Sequence, residues 1–290
     1  MAKNPKHILI TGTSTGIGYN AAEALCARGH HVWAALRKPE ILDRLQEKYP
    51  RNLHVLKMDV TVENDIIAAY QMISAEVGDA EFILINNAGI AVGGPQEALP
   101  LDEWRRVFEV NVFAVINVTK IFLPLIRKSK GRVINISSIS AHMASPFLGP
   151  YVASKFALRG LTDSLRREVI NLGVKVISIE PGPIRTEIWA KSLRTSESHE
   201  KKLSPELQKT YGPLLRATQI TVEKAAKEAV PVELVSKKII CAVEDRWPNI
   251  SYLVGKAIHT QALLVKVLPA RMADKIINRG LKKSAPEIPW

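Results

Sequence analysis

Acidic side chains are scarce in this 290-residue chain: 28 Asp and Glu face 40 Lys and Arg, a formal charge of +12. That excess suits an anionic partner, whether nucleic acid, a membrane surface or a small ligand, and charge alone does not choose among them. Aromatic residues make up only 6%. No Lys/Arg block is interleaved with them, so a groove stacking single-stranded nucleic acid finds no support, and no nucleic-acid partner is expected. Two cysteines, Cys26 and Cys241, stand far apart. They exclude a disulfide scaffold and fit free thiols in a reducing compartment. No His/Cys/Asp/Glu cluster has metal-ligand spacing, so no metal is expected. Residues 1–7 carry no signal-peptide core, and no run approaches the roughly 18 apolar residues of a membrane span. A cytoplasmic protein is expected, with membrane-surface association left open by its basic tail.

What is present is ordinary for a globular chain, 47% hydrophobic and 23% charged residues. Short apolar runs at His7–Thr11, Val32–Leu36, Leu53–Met58, Phe82–Ile85, Arg132–Ile136, Lys175–Ile179 and Ser251–Val254 read as strands. Between them, Gly18–Arg28, Ile41–Lys48, Val62–Val77, Leu101–Lys128, Pro150–Leu172 and Val230–Val243 read as helices. The alternation predicts an α/β fold, a doubly wound parallel sheet of seven strands, forming one domain over residues 1–290 with its core at about 6–254. Two regions depart from it. Residues 186–231 are polar yet carry Trp189, Leu193, Leu207, Tyr211, Leu214 and Leu215, which suits either surface helices or a lid. Residues 255–290 read as a C-terminal helical appendage of two short helices hinged at Pro269.

The first strand runs into Thr11-Gly12-Thr13-Ser14-Thr15-Gly16-Ile17-Gly18. Glycines at such a turn let the backbone approach a pyrophosphate, and the helix that follows offers oriented N–H groups. The spacing is G-x-x-x-G-x-G, not the G-x-G-x-x-G fingerprint. Gly12–Gly16 also fits the G-x-S-x-G elbow of hydrolases, but Gly18 continues a phosphate-type turn and the motif opens the sheet. At the end of the second strand stand Arg37 and Lys38 with no carboxylate, which favours the 2′-phosphate of NADP(H) over the bare ribose of NAD(H). Asp59, followed by Val60, could accept from an adenine amino group or cap the next helix.

Tyr151 and Lys155 lie four residues apart on a predicted helix, hence on one face. A phenol with a pKa near 10 is a poor proton shuttle at neutrality; a neighbouring ammonium favours the phenolate, an oxidised nicotinamide would contribute too, and a lowering by about 3 units takes about 4 kcal/mol. Tyr252 and Lys256 repeat the spacing, but on a predicted strand interrupted by Gly255. Context favours Tyr151, which follows a strand end and the Ser137-Ser138-Ile139-Ser140 stretch. His142 and Met143, between Ser138 and Tyr151, are candidates for the substrate pocket.

Thr11–Gly18, Asn86-Asn87-Ala88-Gly89, Asn111, Ser138, Tyr151/Lys155 and Pro181-Gly182-Pro183-Ile184-Arg185-Thr186 occur in the order of the short-chain dehydrogenase/reductases. The chain resembles that family over about Lys6–Val254, and its NADP-using hydroxysteroid and retinol dehydrogenase branch in particular. The resemblance implies a Rossmann-type fold and NADP(H)-dependent interconversion of a ketone or aldehyde with its alcohol. It implies Tyr151 as proton donor or acceptor, Lys155 tuning it and holding the nicotinamide ribose, Ser138 orienting the substrate oxygen, and Asn111 shaping a water relay to Lys155. Asn87, Ala88 and Gly89 would line the adenosine side, and Pro181, Gly182, Ile184 and Thr186 the nicotinamide. It also implies a homodimer or homotetramer through the helices at Leu101–Lys128 and Pro150–Leu172. Thr15 stands where NADP users of the family often carry a basic residue. Apolar residues in 186–231 suggest a small lipophilic substrate such as a steroid, retinoid or fatty aldehyde; a polar carbonyl, or an NADP-binding sensor without turnover, are the alternatives.

Overall fold

The computed structural model describes residues 4–185, 203–256 and 258–285. Seven parallel strands, β1 (His7–Thr11), β2 (His31–Leu36), β3 (Leu53–Lys57), β4 (Phe82–Asn86), β5 (Arg132–Ile136), β6 (Lys175–Pro181) and β7 (Ser251–Val254), stand in the order β3-β2-β1-β4-β5-β6-β7. Their near-continuous apolar runs follow from burial on both faces. The alternating pleat then splits the core in two. Ile8, Ile10, Val32 and Ala34 face α1 (Gly16–Ala27), whereas Leu9, Trp33, Leu84 and Val133 face α3 (Glu63–Val77) and α5 (Ala114–Lys128).

Between these lie α2 (Asp43–Lys48), α4 (Leu101–Phe108), α6 (Gly149–Glu168), α7 (Pro205–Lys227) and α8 (Val232–Glu244). The stretch read as one helix at Leu101–Lys128 is interrupted by a π-helical turn at Glu109–Phe113 that joins α4 to α5. Glu109 and Lys120 break its apolar run along the sequence, yet by length and composition this helix could cross a membrane, with a mean hydropathy of 1.6 over 18 residues. That corrects the expectation that no run comes close. Its apolarity is used inside the fold, because Val118, Phe122, Leu125 and Ile126 pack on the sheet.

Strand order reverses between β1 and β4, and the connections after both strands leave a crevice at their C-terminal ends. A buried polar ladder crosses the sheet beneath it. Asn86 Nδ2 donates to Thr119 Oγ1 at 3.0 Å and Asn135 Oδ1 at 2.9 Å, and Asn135 Nδ2 donates to Thr162 Oγ1 at 2.9 Å. Every strand-end Asn here is satisfied, so the polar groups that line up α5, β4, β5 and α6 specify one register.

The C-terminal appendage consists of two helices, α9 (Ile258–Val267) and α10 (Ala270–Ser284), with Pro269 at the N-cap of the second. Ile258 packs with Ile139 and Leu253 beside the crevice, and Leu281 is buried on α10. Of the region 186–231, Pro205–Lys227 forms a single long helix, whereas Trp189 and Leu193 lie outside the described residues.

Candidate active site

The phosphate turn is built by close backbone packing. Gly12 has φ +71°, and a Cβ there would stand 2.7 Å from Ala88 Cα; at Gly18 it would stand 2.4 Å from Gly12 O and 2.5 Å from Asn87 Nδ2. Asn87 Nδ2 donates to Thr11 O (2.8 Å) and Gly12 O (2.9 Å), tying the end of β4 to the turn. Thr15, the N-cap of α1, makes no side-chain capping bond, and the first turn of α1 holds no acidic residue. Its N–H groups and dipole therefore face the crevice without an internal anion.

One cavity of about 330 Å³ continues from this turn to the catalytic candidates. Gly12, Ser14, Thr15, Gly16, Ile17, Arg37, Asp59, Val60, Asn87, Ala88 and Gly89 line one part of it, and Ser138, Tyr151, Lys155, Pro181, Gly182 and Ile184 the other. Seventeen of the proposed residues thus contribute to the wall, and no cluster of metal-ligating side chains occurs among the described residues.

Other candidates lie elsewhere. Thr13 is buried and donates to Ala35 O at 3.2 Å, bracing the turn from behind. Gly18 is the packing point against Gly12, and Lys38 is exposed and lies outside the cavity wall. Thr186 lies outside the described residues. Asp59 lines the cavity while its Oδ1 accepts from Thr61 N at 2.9 Å and Thr61 Oγ1 at 2.7 Å, so it caps its own turn and not α3. The residues that sequence reasoning missed are Leu36, Met58, Ile90, Val110, Ile136 and Ser137. Leu36 and Ile136 end their strands and Met58 and Ser137 directly follow theirs at the binding edge, a positional signal that could have found them. Ile90 and Val110 are placed by tertiary packing and had none.

At the far end, Tyr151, Lys155 and Ser138 are all buried. Ser138 hydrogen-bonds the Tyr151 phenol. Burial nevertheless pushes the phenol above its usual range, with the Ser138 bond working the other way. The expected depression by Lys155 is absent, for a geometric reason: the ammonium donates to Ile136 O at 3.0 Å and lies 5.7 Å from the centre of the phenol ring. Burial also lowers the lysine itself to about 8. Tyr252, the repeat of the spacing, is on β7 with its hydroxyl accepting from Asn249 N at 3.0 Å, away from this wall.

Asn111 does not line the cavity. It sits in the π turn, where its Oδ1 accepts from Ile90 N (2.9 Å) and its Nδ2 donates to Ile90 O (2.9 Å) and Ser154 Oγ (3.0 Å). Such turns concentrate at functional sites, and here the widened turn delivers Asn111 to the backbone just after Gly89. A Cβ on Gly89 would touch both Asn111 Oδ1 (3.4 Å) and Lys155 Nζ (3.9 Å). His142 and Met143 also stay off the wall. His142 is engaged instead with Glu180 and Arg159, at 2.7 and 2.9 Å.

Residues 6–197 match the family model for short chain dehydrogenases. This chain belongs to the short-chain dehydrogenase/reductase family. It is an oxidoreductase of the alcohol–carbonyl pair. It is 36% identical over 288 residues to an NADPH-dependent 3-dehydrocapnine reductase of Ornithobacterium rhinotracheale, covering 97% of this chain and 99% of that one. Retinol dehydrogenase 5 of Mus musculus is 32% identical, with 97% and 90% covered. Among solved structures, a short chain dehydrogenase from Burkholderia cenocepacia in complex with NADP superposes with a TM-score of 0.71 at 25% identity, covering 94% of this chain and 97% of that one.

Proposed function

We propose that this protein uses NADP(H) to interconvert a small lipophilic ketone or aldehyde with its alcohol. The observation that carries the reading is the single cavity joining the glycine turn and Arg37 to Ser138, Tyr151 and Lys155. Its walls suit a dinucleotide. Glycines at 12 and 18 let the turn pack tightly against Ala88 and Asn87 and so shape the cradle, the N-terminus of α1 carries no side-chain cap, and the buried Ser137 hydroxyl on the wall has no protein partner. Arg37 supplies a cation for a 2′-phosphate at the end of β2, the position where NAD users carry a carboxylate. Two of the relatives named above, the reductase and the Burkholderia complex, are likewise NADPH- or NADP-associated by name.

Hydride donation or acceptance is the chemistry the nicotinamide supplies when bound. The protein's part is to bind, orient and move a proton. Gly12–Gly18 and Asn87–Gly89 hold the adenosine and phosphate side, with Val60 and Asp59 beside it, and Pro181, Gly182, Ile184 and Thr186 take the nicotinamide side. Ser138 hydrogen-bonds the substrate oxygen. Tyr151 exchanges a proton with that oxygen, and Lys155, mostly charged near neutrality, favours the phenolate once substrate and cofactor draw it closer. Asn111 holds the Ile90 backbone and Ser154, keeping α6 and the β4 end in register.

The preference for lipophilic substrates is read from an aromatic contact between α7 and the connection that joins Ser138 to Tyr151. Phe147 adopts a left-handed backbone, φ +61°, with its carbonyl accepting from Gly94 N at 2.8 Å. Its ring meets Tyr211 of α7 edge-on at 6.3 Å, and Tyr211 donates to Glu97 Oε2 at 2.7 Å. An aromatic pair beside the segment that carries Ser138 and Tyr151 suits a steroid, retinoid or fatty aldehyde better than a sugar.

Two associations belong to the same proposal. Phe113, Ile116 and Phe156 are exposed on the helices around α5 and α6, a face for a second copy of the chain. On α9 and α10, Leu263, Leu264, Val267, Met272 and Ile276 are exposed, and Met272 and Ile276 share one helical stripe with Arg279 and Lys283. That mixture fits a bilayer with anionic headgroups. Oxidation of NADPH would be followed against a steroid ketone, retinal, a long-chain aldehyde and a sugar ketone, with Tyr151→Phe as the blank. Turnover of a lipophilic member, lost in the blank while NADPH still binds, is the expected outcome. Turnover that survives Tyr151→Phe would overturn the catalytic assignment, and preference for the sugar ketone would overturn the substrate class.

A further inference from the structure

Tyr151, Lys155 and Arg159 follow one another at four-residue intervals on α6, so all three project from one stripe of the helix. The first two end at the cavity wall. The third ends in a cluster that the catalytic reading does not use. Arg159 meets His142 Nδ1 at 2.9 Å and donates to Ala141 O at 3.3 Å, while His142 Nε2 meets Glu180 Oε2 at 2.7 Å. The His142 and Glu180 side chains are only 6% and 5% exposed.

The chemistry of the partners fixes the direction of each bond. A guanidinium only donates, so Nδ1 accepts, and the ring hydrogen stands on Nε2 and is donated to the carboxylate. A neutral imidazole thus links a cation and an anion that do not bond each other directly. Leaving either end unpaired in this buried setting would be costly.

The positions of the three residues give the cluster its meaning. His142 closes the short turn Ile139–Ala141 that begins at Ser138, whose Oγ accepts from Ser140 N at 3.1 Å. Arg159 lies two turns beyond Tyr151. Glu180 directly precedes Pro181 and Gly182 on the cavity wall. We propose that His142 is a positioning residue for the reaction: bridging Arg159 and Glu180, it holds the Ser138 turn against the helix that carries Tyr151 and against the end of β6. The inference rests on the assignment of Ser138 and Tyr151 to the chemistry. It replaces the direct substrate contact first expected of His142.

The test compares His142→Leu with His142→Gln in the full chain. Gln can accept from Arg159 through its oxygen and donate to Glu180 through its nitrogen, whereas Leu can do neither. His142→Leu is expected to lower kcat about 10- to 100-fold, the range a displacement near 1 Å produces, with the NADPH dissociation constant unchanged. His142→Gln is expected to recover most of the loss. Should His142→Leu fail to fold, Arg159→Met cuts the same link from the helix side while leaving Glu180 its bond to His142, and the same fall in kcat is expected. Wild-type kcat in a folded His142→Leu or Arg159→Met variant would overturn the proposal, as would a Gln variant no better than Leu. Those results leave the Tyr151 assignment standing, because Tyr151→Phe tests it separately. An active Tyr151→Phe variant would overturn both.

Discussion

Lys155 should cost this protein stability, and removing it should make the cofactor-free fold harder to unfold. The ammonium is buried, its pKa held at about 8 by desolvation against an ordinary 10.5. A difference of that size corresponds to about 3 kcal/mol at roughly 1.4 kcal/mol per unit. The sign follows from proton counting. Below pH 8 the lysine is charged in both states and the full penalty applies. Between 8 and 10.5 the unfolded chain binds more protons than the folded one, so rising pH removes the penalty. Above 10.5 both forms are neutral and nothing remains. Lys155→Met deletes the penalty but leaves Ile136 O without the 3.0 Å donor it now has, a loss of about 1 kcal/mol. The net gain at pH 7 is then about 2 kcal/mol.

Urea unfolding of the two cofactor-free proteins at pH 6 to 10 measures this directly. The Met variant should be more stable at pH 6 and 7, lose its advantage as pH rises through 8, and fall level with or below wild type near 10. It should also show no turnover. A Met variant less stable than wild type at pH 7, or an advantage that does not move with pH, would refute the assignment of a desolvated ammonium to this site.

Other perturbations separate binding from chemistry. Arg37→Ala should weaken NADPH about 10- to 100-fold, the value of one charge-assisted bond, and leave NADH unaffected; equal losses in titrations of both nucleotides would reject a 2′-phosphate contact. Gly18→Ala places a methyl 2.4 Å from Gly12 O, and should cost about 1–3 kcal/mol in denaturant unfolding and abolish nucleotide binding; a wild-type midpoint would contradict the packing. Leu263→Asp with Leu264→Asp should release the protein from phosphatidylglycerol vesicles in sedimentation without altering turnover of a soluble aldehyde. Equal sedimentation of variant and wild type would remove α9 from the membrane-facing surface.

Much of this was legible from the sequence because two periodicities carry it. Strands buried on both faces, such as Phe82–Asn86, appear as unbroken apolar runs, and the intervening helices show their own repeat, so the seven-strand sheet and the hinge at Pro269 could be read directly. The wall of the cavity was legible where the proposed chemistry asks for a particular residue type, as at Gly12, Gly16, Ser138 and Tyr151. It was not legible where a residue's role depends on what reaches it through space. His142 looks like any loop histidine until Glu180 and Arg159, 38 and 17 residues away, are brought to its two nitrogens. The electrostatic state of Tyr151 was misread for the same reason, since i,i+4 spacing places Lys155 on its face but cannot say that Ile136 O captures the ammonium.

These features bear on one another. A phenol that burial drives toward its neutral form, and a lysine that burial drives toward its neutral form, are poorly matched to each other in the cofactor-free protein. Each would be better placed if an additional dipole or charge entered the cavity and the Lys155 ammonium moved off Ile136 O toward the phenol. The protein therefore carries a site strained in its electrostatics and held in shape by bonds elsewhere: Asn111 on Ile90 and Ser154, the Asn86–Asn135 ladder, and His142 between Arg159 and Glu180. Of the buried side-chain atoms without a protein partner among the described residues, Ser137 Oγ lies on the cavity wall, whereas His54 Nε2 and Ser178 Oγ lie away from it. The desolvated Lys155 ammonium and the Ser137 hydroxyl are the two wall groups that an entering ligand would stabilise, which is how stability given up locally is restored by binding.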